Sequence, residues 1–124
     1  MIDAGRYVGA PWQARGCWEL LRRVYAEQLG ITLPTYADDY GDGTLDTVVQ
    51  LIMAETQSWS PVAGGREREG DGALFKGRPR HIGVVLGGGL FLHMMEGQSA
   101  VIESYRTPLW RRQLLGFYRH REAP

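Results

Sequence analysis

Only one cysteine, Cys17, occurs in the 124 residues, so no disulfide can form within the chain and a stapled secreted scaffold is excluded. Net charge is missing as well. Fourteen basic and fourteen acidic residues cancel, leaving no field to draw the chain to nucleic acid or an anionic membrane. The arginine pairs Arg22–Arg23 and Arg111–Arg112 read as solvated faces. No long hydrophobic run exists. The most apolar stretch, "HIGVVLGGGLFLHMM", is broken by three glycines and flanked by histidines, so no membrane insertion is expected. The opening "MIDAGRYVGAPWQ" lacks a basic region followed by an apolar core, which reads as a chain made in the cytoplasm without a signal peptide.

What is present is an ordinary globular composition, 44% hydrophobic and 23% charged, sized for one domain over residues 1–124. From Cys17, apolar residues fall at 17, 20, 21, 24 and 25, a helical spacing that Gly30 stops. Cys17 therefore sits in the first helical turn. Residues 31–43, with Pro34, Tyr36, Tyr40 and three aspartates, read as a loop, and 44–57 as a second helix. "SWSPVAGGREREGDG" reads as another loop. After Asp71 come five short strand-like segments, "GALFK", "HIGVVLG", "LFLHMME", "SAVIESY" and "LLGFYRH". Helices first and strands second predict an α+β domain, with N-terminal helices packed on an antiparallel meander sheet of about five strands.

Of three histidines, His81 and His93 flank one hairpin whose turn contains Gly87, Gly88 and Gly89. If all three glycines are loop residues, Gly83 faces His93 and the two histidines share a face as diagonal neighbours, roughly 7–8 Å apart. A two-residue turn shifts the register by one and separates them. The glycines alone leave both registers open. His120, among arginines near the C-terminus, reads as a surface residue.

A helix N-terminus and a neighbouring histidine both favour a thiolate, lowering a cysteine pKa from about 8.5 to between roughly 3.5 and 7.5. Cys17, His81 and His93 would thus suffice for acyl transfer. Two other readings use the same residues. They could bind zinc with a water, although their spacing matches no common zinc motif and no metal or other cofactor is expected. Alternatively, Cys17 is a packing residue in the helix interface.

The ordered stretches "YVGAPW", "CWELLRRVY", "GDGALF" and "HIGVVLGGGLFLH" resemble the NlpC-type cell-wall cysteine peptidases, which are papain-like enzymes. "RRVYAEQLGITLP" and "PLWRRQLLGFYRH" are most similar to the subgroup found with bacteriophage and gene-transfer-particle tails. The resemblance implies Cys17 as nucleophile, His81 as general base and His93 as the residue that orients it. It implies peptidoglycan stem or cross-link peptides as substrate; on a hydrolase reading, Trp12 and the loop 31–43 with Tyr36 and Tyr40 are the expected walls of the cleft. It further implies other tail-tip proteins as partners, and a place in the virion tail acting on the host envelope. The chain departs from the family's D-C-x-G pattern by carrying Gly16 before the cysteine and Glu19 two residues after it. A structural tail-tip protein on the same fold, with little or no activity, is the alternative expectation.

Overall fold

A computed structural model of the chain describes residues 1–12, 16–34, 58–76 and 81–124. The second predicted helix, 44–57, lies outside them. Helix α1 runs Gly16–Val24 and continues as a π-helical turn, Tyr25–Leu29. Gly30 ends it in the left-handed region at φ 68°, with the Ile31 N–H donating back to the Tyr25 carbonyl. Cys17, Leu20, Leu21, Val24 and Tyr25 of the predicted inward stripe are buried, and Trp18, outside that stripe, is fully buried with them. Each such side chain contributes roughly 1.5–3 kcal/mol by leaving water. They pack with Ile82, Val84 and Leu92 of the sheet.

Among the described residues six antiparallel strands follow: β1 (Trp59–Val62), β2 (Gly72–Phe75), β3 (His81–Gly87), β4 (Leu90–His93), β5 (Val101–Ser104) and β6 (Leu114–His120). Their spatial order is β1-β6-β2-β3-β4-β5. Strands β2 to β5 form the predicted meander. The last strand departs from it: a short helix, α2 (Pro108–Gln113), carries the chain back so that β6 lies between β1 and β2. Strand β1 falls within a segment expected to be loop. Pro61 hid it, yet proline is tolerated here because β1 is an edge strand whose single neighbour among the described residues is β6.

The β3–β4 hairpin resolves the register question. Val84 faces Leu92 and Val85 faces Phe91, the register of the long-turn alternative, whereas Gly87 faces Leu90, the register of the two-residue turn. A bulge at Leu86 reconciles them. Gly88 and Gly89 are the turn, at φ 63° and 82°, and Gly87 next to the bulge is at 97°. Two central residues at positive φ match the twist of paired strands, which explains three glycines in a row.

The charged loop before β2 is anchored from several sides. Asp71, 1% exposed, accepts from Arg119 Nε and Nη2 at 2.8 Å each and from the Arg68 N–H at 2.9 Å. The Tyr25 hydroxyl donates to the Gly70 carbonyl, and Tyr105 donates to Glu67 at 2.6 Å. His120, expected at the surface, is 7% exposed, with its ring edge-on to Trp59 at 5.0 Å. Its flanking arginines are exposed or half-buried while it alternates inward, so the local charge misled the sequence reading.

Asp71 is buried although Arg119 is partly exposed, so removing the guanidinium leaves an enclosed carboxylate without its counter-charge. Arg119→Met is therefore expected to lower unfolding free energy by about 2–3 kcal/mol in urea titrations. A loss below about 0.5 kcal/mol would show that Asp71 does not depend on the pair.

Candidate active site

Because β3 and β4 pair in the register Val84↔Leu92, His81 and His93 project from one face. His81 Nε2 and His93 Nδ1 are 2.7 Å apart. Gly83, opposite His93, makes this approach possible. A Cβ there would lie 2.8 Å from Phe91 Cδ2 and 3.1 Å from His93 Cβ. The rings sit in an aromatic layer: Trp110 of α2 stacks on His81 at 5.8 Å and meets His93 edge-on at 5.0 Å, while Phe91 stacks on His93 at 4.2 Å. Among the described residues the Trp110 indole N–H has no hydrogen-bond partner. Behind His93, its Nε2 lies 2.6 Å from Glu103 Oε2 on β5.

Cys17 enters from the other side of the sheet, clustered with Ile82, Val84 and Met94. Backbone amides of Ile82, Trp18 and Cys17 itself favour its anion, but burial outweighs them and pushes the thiol up to about 11. This reverses the expected depression by the helix N-terminus, because the sulfur is enclosed rather than facing water. Burial, and then the neighbouring His93, hold His81 down at about 3, and burial lowers His93 despite Glu103. Thiol and imidazoles are therefore all neutral near pH 7. Among the described residues no hydrogen bond joins Cys17 to His81. The sulfur lies at the amide of Ile82, the residue after His81, so both groups flank the same end of β3.

Of the expected cleft residues, Trp12 is 40% exposed and lies over the start of α1, whereas Tyr36 and Tyr40 fall outside the described residues. A Cβ on Gly16 would meet Met94 Sδ at 2.7 Å and Trp12 Cδ1 at 2.9 Å, so glycine lets both side chains close over the helix start. The N-terminal segment is held there by reciprocal bonds, Gly9 N–H to Ala100 O at 2.9 Å and Ala100 N–H to Ala10 O at 3.0 Å. A partly open cavity of about 170 Å³ lies between Ala10, Pro11, Met94 and the stripe Gly16, Glu19, Leu20, Arg23 of α1. Glu19 accepts from Arg22 at 2.8 Å. Among the described residues, no group of three or more His, Cys, Asp or Glu side chains is placed to hold a metal ion, and no helix is long and apolar enough to cross a membrane.

Sequence reasoning missed Glu103 and Trp110. Glu103 was within reach: it pairs with Phe91, two residues from His93, so carrying the parity rule one strand further puts it on the same face. Trp110 gave no signal, because it reaches the histidines from a helix that the strand pattern did not announce.

The NlpC/P60 family matches residues 6–119, and the chain belongs to that family. Its fold is shared with an NLP/P60-family lipoprotein-like protein of Staphylococcus aureus (TM-score 0.61, 21% identity, 94% of this chain and 38% of that one). It is shared too with an NlpC/P60 protein of Bacillus cereus (TM-score 0.68, 18% identity, 98% and 38%). The NlpC/p60 domain of the peptidoglycan hydrolase SagA superposes with TM-score 0.56 at 23% identity, over 93% of this chain and 90% of that domain. The chain thus spans 38% of the length of the first two. Among curated proteins none matches it in sequence.

With the thiol pushed up to about 11, thiolate is on the order of 10⁻⁴ of the population at pH 7. Iodoacetamide is expected to alkylate Cys17 at least about tenfold more slowly in the folded protein than in urea, with the rate still rising above pH 9. A fast rate that titrates below pH 8 would instead reveal a preformed thiolate–imidazolium pair.

Proposed function

We propose that the protein is a cysteine peptidase that hydrolyses peptidoglycan stem or cross-link peptides, with Cys17 as nucleophile, His81 as general base and His93 as its orienting partner. The observation that carries this reading is the 2.7 Å His81–His93 contact at the strand end where Cys17 opens α1, within an NlpC/P60 chain. Because thiol and imidazole are both neutral, attack and proton transfer are concerted. The sulfur bonds to the amide carbonyl carbon while His81 accepts the thiol proton. That proton goes to the departing amine as the C–N bond breaks, leaving a thioester. Water, deprotonated by the same imidazole, then releases the acid and restores the thiol. In the free protein the sulfur and the imidazole flank the start of β3 from opposite sides, so this step requires a rearrangement on substrate binding that brings them into contact. The Cys17 N–H, with no partner inside the helix, is the donor for the developing oxyanion. Trp12 forms one wall of the cleft, and Tyr36 and Tyr40 are proposed for the other.

The finer reading is a tail component of a phage or gene-transfer particle that opens the host wall locally alongside other tail-tip proteins. Its support is the resemblance of "RRVYAEQLGITLP" and "PLWRRQLLGFYRH" to that subgroup. A structural tail-tip role without activity is the second reading, and the enclosed, neutral thiol beside Gly16 and Glu19 favours it.

Purified peptidoglycan sacculi incubated with the protein should release stem-peptide fragments by mass spectrometry. Cys17→Ala is expected to abolish release and His81→Ala to slow it by roughly 10²–10⁴-fold. No release by the wild type, or equal release by Cys17→Ala, would overturn the peptidase reading; the first outcome would favour the structural one.

A further inference from the structure

We infer that Glu103 is a positioning residue which, through His93, determines that Nδ1 of His81 is the nitrogen left free to take a proton. The inference deepens the peptidase reading, on which its catalytic meaning rests, but it follows from hydrogen-bond directions alone. Three groups form a chain across three strands: His81 Nε2 to His93 Nδ1 at 2.7 Å, then His93 Nε2 to Glu103 Oε2 at 2.6 Å. Distances by themselves do not say which atom holds each hydrogen.

Glu103 supplies the direction. An ionised carboxylate accepts only, so the hydrogen in the second contact belongs to His93 Nε2. Enclosed by Phe91 and Trp110, His93 is held neutral and has a single ring proton, which that contact uses. Its Nδ1 is therefore a lone pair. The first contact then needs a hydrogen on His81 Nε2, and neutral His81 keeps its own lone pair at Nδ1. Without an acceptor at position 103 the chain has no required direction. The opposite arrangement places hydrogens on Nδ1 of both rings and removes the base from His81. Glu103 is 45% exposed on its far side, so it acts without itself being enclosed.

The test is a two-bond ¹H–¹⁵N correlation spectrum of the labelled free protein near pH 7, for the wild type, Glu103→Gln and Glu103→Leu. Wild type is expected to show both His81 and His93 as Nε2–H tautomers. Glutamine, whose carbonyl accepts the same hydrogen bond, should preserve that pattern, whereas leucine should move His81 toward Nδ1–H. His120, whose Nδ1 accepts from the Glu122 N–H at 3.2 Å, serves as an internal reference. On a stem peptide, kcat should fall at least about tenfold in Glu103→Leu and recover in Glu103→Gln with little change in KM, since a wrong tautomer in such a relay costs up to about 10⁴-fold. An Nδ1–H on either wild-type ring, or an unchanged leucine variant, overturns the inference. If the spectra follow expectation and no form cleaves peptide, the tautomer relay stands and the peptidase reading falls.

Discussion

Everything at this site depends on the register of one hairpin. Val84 faces Leu92, and that pairing alone sends His81 and His93 to the same face, two residues apart on the diagonal. A slip of one residue would leave the strands paired and the histidines on opposite sides. The bulge at Leu86 allows a tight two-residue turn and the favourable register together, and it does so with three residues at positive φ. The triple glycine that looks like slack in the sequence is thus what places the two imidazoles in contact.

The surroundings that align the rings also decide their charge. Phe75, Phe91 and Trp110 hold the histidines on three sides, and Gly83 leaves the volume that His93 fills. Such an apolar layer excludes water and disfavours any ion. Cys17 meets the same constraint from the helix side. Burial therefore holds the thiol and both imidazoles in their neutral forms, and no resting ion pair is present among them. Preorganisation and charge pull against each other here, and burial wins.

Much of this was legible in the sequence. The α1 stripe was plain because its apolar residues keep a period near 3.6 and Gly30 ends it, and the meander β2 to β5 was plain because glycines and charges separate its strands. Cys17, His81 and His93 stood out as candidates because cysteine and histidine are scarce; the structure joins the two histidines, while Cys17 lies across the sheet from them. Other features were hidden for physical reasons. β1 is short and carries Pro61, which only its edge position permits. His120 sits among arginines that turn outward while it turns in. The thiol's shift could not be read from its place in a helix, since that place argues for a thiolate and only packing shows that burial prevails.

The most direct measurement is a rapid acid quench of the protein during reaction with a peptidoglycan stem peptide, followed by mass spectrometry of the Cys17-containing fragment. A thioester on Cys17 that appears and decays with turnover, and that is absent in Cys17→Ser, is the expected result. Peptide hydrolysis that proceeds with no adduct at Cys17, and undiminished in Cys17→Ser, would contradict it.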